Sequence, residues 1–531
     1  MKLSFFGAAR AVTGSCHCIS ACGKHILIDC GLQQGRDEYD NHLLPFVPSM
    51  IDMVIVTHAH IDHSGRLPLL VKQGFHGPIY ATEMTCRLLD IMLRDSAHIQ
   101  ESDAAWENQK GKRAGRTPVE PLYTLADAQA ALELLHPVSY AQTVDLGGGI
   151  SFRLTDAGHL LGSSYVELWL EEDGVRRKVV FSGDIGNVDQ PIIRDPQPIT
   201  EADYVVMEST YGDRNHSGSG EYTRELADIL NDTFRRGGNV VIPSFAVGRT
   251  QELLYFLREI KEEGLVTELP HFPVVVDSPL AVEATRIFSG DLTGYLDEEA
   301  IEVIQRGAGL FHVDDLQLSV TSEESKALNE DRSPKVIISA SGMCDAGRIR
   351  HHLKHNLWRS ECTVVFVGFQ SPGTLGRSLV EGKKFVRLFG EDVAVNARIV
   401  NFQGLSSHAD HDHLLRWIAQ FSPRPAEVFV VHGDDLVSQS FAAELQRLGY
   451  SAHAPLFQEV YDLARGAVLA EGMELPRKKE SKWQLGSPAY RRLEEAGRQL
   501  MVVIQKNKGG ANKDLAKFAD QIRALMQKWD R

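Results

Sequence analysis

The sequence His58-Ala59-His60-Ile61-Asp62-His63 places four metal-binding side chains within six residues. The apolar run at 53–56 predicts a buried strand, so the motif lies on the loop that leaves it. Imidazole and carboxylate are zinc ligands, at about 2.0–2.2 Å. His58 and His60 point to one side of an extended chain and can share an ion, while Asp62 and His63 can face a second. The alternative, a polar loop capped by Asp62 that begins a helix, does not explain why such residues recur downstream.

Similar residues follow other predicted strands, where α/β scaffolds carry their chemistry. Each alone is explained equally well as a structural polar group, but together with the motif they form a set for two metals. After the strands at 150–154, 179–181, 204–207 and 428–431, and in a loop near residue 400, these residues are His159, Asp184, Glu208, His432 and His408. Asp29 closes the run at 26–28 and can hold an imidazole in one tautomer, or merely cap a turn.

Between about residues 215 and 400, helices alternate with short apolar strands. This rhythm predicts a parallel sheet with its own core, inserted into a first domain whose metal-type residues lie on both sides of it. Turns rich in Gly, Ser and Thr present backbone N–H groups that suit phosphate, although such turns are also common connectors. The residues predicted to face phosphate are Arg249, Ser341, Gly342 and Thr374. The basic segment at 110–116, which glycines interrupt, is predicted to be a loop that is either solvated or in contact with phosphate.

Length and composition are those of a large globular protein. At 531 residues the chain exceeds a single-core domain, and 24% charged residues is an ordinary value. No apolar run approaches the roughly 18–20 residues of a membrane span, and the N-terminus lacks a signal-peptide core. Seven cysteines without an export signal predict reduced thiols in the cytoplasm.

The C-terminal extension differs from the rest of the chain. The net charge is −15, yet residues 477–531 hold 14 basic and 6 acidic residues, a net +8. A helix is predicted at about 489–505, and a second carries an a/d seam of Leu515, Phe518, Ile522, Leu525 and Trp529. Three interpretations stay open: a helical hairpin docked on its own acidic body, a homodimer contact, or an arm that grips RNA.

These motifs resemble those of a known family. Asp29, the His58–His63 motif, His159 and Asp184 are similar to the first four motifs of the metallo-β-lactamase fold. Glu-Ser-Thr-Tyr-Gly, Ser-Ser-His-Ala-Asp and Val-Val-His-Gly-Asp resemble three further motifs of the β-CASP nucleases. That family includes the nuclease subunit of the cleavage and polyadenylation specificity factor, its bacterial relatives and ribonuclease J. The resemblance covers about residues 1–460 and is closest to the polyadenylation-factor branch.

The resemblance implies an α/β fold: a metallo-β-lactamase αββα sandwich with an inserted β-CASP domain, whose parallel sheet is flanked by helices, and a short helical C-terminal extension. We expect the first part of the lactamase domain at 1–208, the insertion at 209–400, the return segment at 401–470 and the extension at 471–531. The active site is expected in a cleft between the lactamase domain and the insertion.

The resemblance also implies a zinc-dependent RNA-processing nuclease that acts on single-stranded RNA. His58, His60 and His159 would hold one Zn²⁺, Asp62, His63 and His432 the other, and Asp184 would bridge them. A metal-bridged hydroxide would cleave the phosphodiester to leave 5′-phosphate and 3′-hydroxyl ends. Glu208 would keep His408 protonated so that His408 can donate to the leaving oxygen.

Other functions fit the residues less well. A thioester or lactam hydrolase does not need the insertion, and a flavodiiron-like redox protein would carry a carboxylate in place of His60. A non-catalytic scaffold subunit is the main alternative of another class, but here no expected ligand is missing. A DNA-directed β-CASP nuclease stays open because the motifs do not read the 2′-hydroxyl. The residues do not decide between endonuclease and 5′-exonuclease; we favour the endonuclease.

Overall fold

The computed structural model describes residues 1–35, 38–113, 115–216, 221–371, 373–402, 405–475, 500, 503–504 and 512–529. Its two compact units are Met1–Pro476 and Arg477–Arg531. The first unit contains three large sheets, and two of these form a sandwich.

The sandwich consists of two mixed sheets whose strands come from both ends of the first unit. The first sheet has, in spatial order, the strands Ala467–Ala470, Val460–Asp462, Lys2–Gly7, Cys16–Ala21, Lys24–Ile28, Met53–Ile55, Ile79–Thr82 and Leu135–Val138. The second has Ala452–His453, Glu427–Val431, Tyr204–Glu208, Val175–Phe181, Ser164–Glu172, Ile150–Asp156 and Thr143–Gly147. Residues from the beginning and the end of the first unit therefore share each sheet.

Side chains that alternate between the two faces of each strand form the layers of this sandwich. In Glu427–Val431, Phe429 and Val431 face the core between the two sheets, while Val428 and Val430 face a second core on the outer side. Side chains of a strand point alternately to opposite faces, so a strand that is apolar throughout is buried on both. Helices cover the outer faces: Pro48–Met50 (3-10), Ile61–Ser64, Leu67–Lys72, Glu83–Arg113, Leu125–Leu132, His411–Ile418 and Asp435–Arg447.

The inserted segment forms the third sheet, which is entirely parallel. Its strands, in spatial order, are Leu316–Ser319, Val274–Asp277, Val336–Ser339, Val240–Pro243, Thr363–Phe366 and Arg398–Asn401. Its helices are Tyr222–Arg235, Arg249–Glu262, Pro279–Phe288, Glu298–Gln305, Ser322–Glu330, Ile349–Asn356 and Leu375–Val380, and a two-stranded ribbon pairs Phe385–Leu388 with Glu391–Ala394. The predicted fold class, a sandwich with an inserted parallel α/β domain, is confirmed. The domain boundaries at 208, 400 and 470 stay a prediction.

A buried carboxylate fastens the inserted sheet to its helices. Asp277, at the end of its strand, accepts hydrogen bonds from Ser319 (2.7 Å), Ser325 (2.6 Å) and Arg348 (2.7 Å), and it lies 2.6 Å from His352 Nε2. Burial alone would raise the pKa of Asp277, but these donors outweigh it and hold the pKa below its usual range.

Some local predictions were wrong or lie beyond the described residues. The basic segment at 110–116 was expected to be a loop, but the helix Glu83–Arg113 continues through its first four residues. Good helix-forming residues such as Lys and Arg outweigh Gly111 there. The predicted helix at 489–505 falls largely outside the described residues, whereas the second C-terminal helix is present as Asn512–Trp529.

All seven cysteines lie in the described ranges and are free thiols. Cys16, Cys18 and Cys30 are buried, in agreement with a packing role. Of the helices in the described ranges, none combines the length and the apolar character needed to cross a membrane.

Candidate metal centre

The strands of the second sheet bring the predicted site residues to one edge. Tyr204–Glu208 pairs in parallel with Glu427–Val431, with Glu208 opposite Val431, and also with Val175–Phe181. Because parallel strands end at the same edge, Glu208, His432 and Asp184 lie together there. Asp184 is 2% exposed and Glu208 is fully buried.

One cluster joins the first two histidines of the motif to His159. His58 Nε2 and His60 Nδ1 are 3.0 Å apart, and His60 Nδ1 lies 3.2 Å from His159 Nε2. The Oδ2 atom of Asp184 is 3.3 Å from both His58 Nε2 and His159 Nε2. Burial, together with the neighbouring imidazole of His58, lowers the pKa of His60 to about 3, so this ring is neutral and its lone pair is available to a metal.

A second cluster lies on the other oxygen of the same carboxylate. His63 Nε2 is 3.1 Å from His432 Nε2 and 3.1 Å from Asp184 Oδ1. His432 Nε2 is also 3.5 Å from Asp62 Oδ2 and from Asp184 Oδ1. Asp184 therefore faces one histidine cluster with each oxygen.

These distances fit a metal better than a hydrogen-bonded network. In a tetrahedral site with Zn–N bonds of about 2.0–2.1 Å, the ligand atoms stand roughly 3.3 Å apart, close to the separations in both clusters. Ring nitrogens that face one another need a proton or a cation between them. Asp184 Oδ1 is buried and accepts no hydrogen bond from the described residues. In the described residues, three groups of side chains could hold an ion. Two of them coincide with the predicted ligand sets: His58, His60, His159 and Asp184, and Asp62, His63 and His432. The third joins Asp184 to Glu208 and His408.

Asp29 organises the supports beneath the ligands. Its Oδ2 lies 2.7 Å from His63 Nδ1, and it also accepts a hydrogen bond from the Thr57 hydroxyl (3.0 Å). The same hydroxyl lies 3.1 Å from His58 Nδ1, so one carboxylate orients a ring of each cluster. Asp29 has a positive φ of 61°, unusual for a non-glycine residue, and its backbone N–H donates to Ile55 O (3.0 Å).

Gly31 lets this loop approach the histidine motif closely. A Cβ atom at this position would lie 1.6 Å from the carbonyl oxygen of Asp62, so no other residue fits without moving the backbone. The backbone N–H of Ser15 donates to the same carbonyl (2.8 Å).

Sequence reasoning missed the supports of the remaining ligands. The Thr210 hydroxyl lies 3.2 Å from His432 Nδ1, and His159 Nδ1 lies 3.1 Å from the carbonyl oxygen of Ser407. Thr57 directly follows a predicted strand and precedes His58, and Thr210 lies two residues after Glu208, so the sequence contains a signal for both. The Ser407 contact leaves no trace in the sequence, since any residue has a carbonyl.

Glu208 and His408 form the expected pair beside the metal centre. His408 Nδ1 is 3.1 Å from each Glu208 oxygen, and its Nε2 lies 3.9 Å from Asp184 Oδ2. Glu208 also accepts a hydrogen bond from the backbone N–H of Ile185 (2.6 Å), which fixes its carboxylate. Burial lowers the pKa of His408, but Glu208 and Asp184 outweigh it and raise the pKa to about 9.

The residues predicted to face phosphate lie in different local environments. Arg249 begins a helix directly after Gly248, and the Arg249 guanidinium is paired with Glu252. A Cβ atom at Gly248 would lie 3.0 Å from Leu160, the residue after His159. Thr374 caps the helix Leu375–Val380 by accepting from the Arg377 N–H (3.1 Å). The turn of Ser341 and Gly342 packs near Phe245. Their contact with phosphate stays a prediction.

Comparison with protein families agrees with this architecture. Residues 19–185 match a metallo-β-lactamase superfamily domain, and residues 250–379 match a Beta-Casp domain. Residues 392–455 match a domain described as a Zn-dependent metallo-hydrolase RNA specificity domain.

Individual relatives are similar over most of the chain. Ribonuclease TTHA0252 of Thermus thermophilus is 39% identical over 82% of this chain and 94% of its own. The transcription termination factors FttA of Methanosarcina mazei and Methanocaldococcus jannaschii are each 31% identical over 84% of this chain and 69% of theirs. A solved structure of a protein of unknown function from Enterococcus faecalis covers 88% of this chain with a TM-score of 0.47 and 13% identity.

The geometry predicts that metal retention and proton donation can be separated. Asp184→Ala should lose bound metal, because the carboxylate faces both clusters. His408→Ala should retain it, because His408 packs beside the clusters. Elemental analysis of both purified variants after dialysis tests this. A metal-free His408→Ala protein with an intact circular dichroism spectrum would contradict the assignment of His408 as a non-ligand.

Proposed function

The chain belongs to the β-CASP family of metallo-β-lactamase-fold RNA nucleases, and we propose from the geometry of its metal centre that it hydrolyses single-stranded RNA with two zinc ions. The relation to Ribonuclease TTHA0252 supports RNA as the substrate. The observation that carries the proposal is Asp184, a buried carboxylate with one histidine cluster on each oxygen. This arrangement suits a bridging ligand between two cations.

We propose the following assignment of ligands. His58, His60 and His159 would hold the first ion, Asp62, His63 and His432 would hold the second, and Asp184 would serve both. All the donors are nitrogen or oxygen atoms, a set that zinc accepts. When bound, two such ions lower the pKa of water and stabilise negative charge on a phosphoryl group. Asp29 contacts His63 directly and His58 through the Thr57 hydroxyl, and with metal bound it would hold these two rings in the tautomers that leave Nε2 free for the ion.

His408 is the proton donor of the proposed reaction. The water oxygen forms a bond to phosphorus and releases one of its protons to solvent, the bond from phosphorus to the 3′-oxygen breaks, and the proton on His408 Nε2 passes to that oxygen. Glu208 supports this role because its carboxylate lies against Nδ1 and favours the protonated ring. General-acid catalysis of this kind contributes roughly 10²–10⁴-fold to the rate.

Other activities have less support. A scaffold subunit without catalysis would tolerate loss of ligands, whereas here both clusters are complete. A DNA-directed nuclease is the second candidate, and parallel assays with matched RNA and DNA strands decide it. Seven free thiols favour the reducing cytoplasm as the place of action.

The chemistry of the cut ends tests the mechanism. If water is the nucleophile, the products carry a 5′-phosphate and a 3′-hydroxyl group. Attack by the 2′-hydroxyl would instead give a 2′,3′-cyclic phosphate. Mass spectrometry of the products from an internally labelled oligonucleotide distinguishes these ends, and a cyclic phosphate would refute the proposed step.

The pH dependence tests the Glu208–His408 pair. Because the pKa of His408 is raised to about 9, its proton is present below that pH and is lost above it, so kcat/KM should fall as the pH rises through about 9. Glu208→Gln removes the negative charge and should move this alkaline limb to lower pH. Glu302→Gln, at a side chain that is 62% exposed, serves as the control. A limb that does not move in Glu208→Gln would show that Glu208 does not govern the proton.

For the C-terminal extension we propose a contact role, with a homodimer as one form of it. On the helix Asn512–Trp529, Leu515, Phe518 and Ile522 are half-buried and Leu525 is 55% exposed. Deletion of residues 477–531 should lower the mass measured by light scattering if the helix joins two copies. It should instead weaken RNA binding, with a smaller dependence on salt, if the basic extension grips RNA. Unchanged mass, RNA affinity and melting temperature would reject a contact role.

A further inference from the structure

A cleft opens directly beside the proton donor. It has a volume of ≈ 260 Å³ and is lined at its inner end by Tyr211, His216 and Ser406. The rings of Tyr211 and His408 are 6.3 Å apart, and His216 Nε2 lies 2.8 Å from the carbonyl oxygen of His408. Two residues that line the cleft, Tyr211 and His216, therefore also contact His408, the residue that we assign as the general acid.

The outer wall of the cleft belongs to the inserted domain and combines an exposed aromatic ring with guanidinium groups. Phe369 is 44% exposed. The Arg214 guanidinium carbon lies 5.4 Å from the centre of the Phe369 ring and 4.5 Å from that of Tyr211. Arg377, also at the wall, is 39% exposed. Exposed rings and guanidinium planes are the surfaces on which proteins stack single-stranded bases.

The position of His408 determines which part of an RNA strand would enter this cleft. In the proposed reaction His408 gives its proton to the 3′-oxygen, which belongs to the nucleotide on the 5′ side of the cut. A group that protonates this oxygen must lie on the same side of the phosphate as that nucleotide. The cleft next to His408 is therefore on the upstream side of the scissile bond.

We propose that this cleft binds the nucleotide immediately upstream of the cut, with its base stacked against Phe369 and Arg214. The inference rests on the proposed ribonuclease function and adds to it a specificity subsite. The volume lies near the lower end of ligand pockets, about 300 Å³, and so suits one nucleotide rather than a longer segment. Stacking does not depend on base identity, so the subsite accepts any base but requires that one be present.

A second cleft continues the path away from the metal centre. It has a volume of ≈ 290 Å³, shares Val380 and Asn401 with the first, and is lined by Lys383 and Lys384. Both lysines and Asn401 are exposed. A basic surface beyond the stacking position suits the phosphates of further upstream nucleotides. This path leaves room for the strand to extend upstream, as cleavage within a chain requires.

The proposal is tested with short RNA substrates that carry one abasic nucleotide, placed either directly upstream or directly downstream of the cleaved bond. The enzyme variants are Phe369→Ala and Phe369→Tyr. Loss of one stacked base weakens binding roughly 5- to 150-fold, so Phe369→Ala should raise KM by that order with little change in kcat. Phe369→Tyr retains a ring and should restore the KM of the parent enzyme.

The abasic substrates identify the base concerned. On the upstream-abasic RNA, the parent enzyme and Phe369→Ala should have the same KM, because the stacking partner is already absent. On the downstream-abasic RNA, the difference between the two enzymes should persist. If the Phe369→Ala effect survives removal of the upstream base, or disappears on removal of the downstream base, the proposed subsite is wrong.

Matched controls separate failure of this proposal from failure of the proposed function. Phe389→Ala removes a ring that is 48% exposed on the two-stranded ribbon, outside the lining of either cleft, and should leave KM unchanged. A parent enzyme that cleaves RNA while Phe369→Ala has an unchanged KM would reject the subsite alone. A zinc-loaded parent enzyme that cleaves no RNA would reject the ribonuclease function, and binding of fluorescent RNA to the same variants would then test the subsite separately.

Discussion

The buried carboxylate of Asp184 is the interaction on which the rest of the site depends. A negative charge at 2% exposure is expensive unless cations or hydrogen-bond donors surround it. Here the surrounding groups are imidazoles on both oxygens. Burial alone would raise the pKa of Asp184, but the neighbouring His432 and His63 rings outweigh it and hold the pKa well below its usual range. Bound zinc would supply the positive charge in place of those ring protons. The histidine rings around Asp184 thus allow the carboxylate to be buried and also allow the site to bind cations.

The fold supplies this arrangement by bringing distant parts of the chain to one sheet edge. Val175–Phe181, Tyr204–Glu208 and Glu427–Val431 are parallel neighbours, although more than 200 residues separate the second from the third. The inserted domain occupies that interval and returns the chain beside its starting point. The insertion is in this way connected at both of its ends to strands that end at the candidate metal centre.

Much of this could be predicted from the sequence, for identifiable reasons. Apolar runs that end in His, Asp or Glu specify both a strand and the residue at its end, so a set of metal-type residues could be named before their distances were known. The division of this set between two ions and the pairing of Glu208 with His408 came from the resemblance to a known family. The cleft could not be predicted, because Tyr211, Arg214, Phe369 and Arg377 carry no periodic pattern and come together only in the folded chain. The backbone carbonyl of Ser407 is likewise invisible in a sequence. At Lys110–Arg113, glycine and charged residues favour a loop in the sequence, but these residues form the last turn of the helix Glu83–Arg113.

The loop at 405–409 links substrate binding to the metal centre through one short stretch of backbone. Ser406 lines the cleft, the carbonyl oxygen of Ser407 faces His159 Nδ1, and His408 is the proposed acid. The loop is held to the segment after Asp184, since the Asn187 N–H donates to Ser407 O (3.0 Å) and the Ala409 N–H to Ile185 O (2.8 Å). An RNA strand bound against Ser406 would therefore contact the same loop that orients the His159 ring and carries His408. The proposed subsite, the support of the His159 ring and the proposed acid therefore share one loop, so a shift of this loop would displace all three.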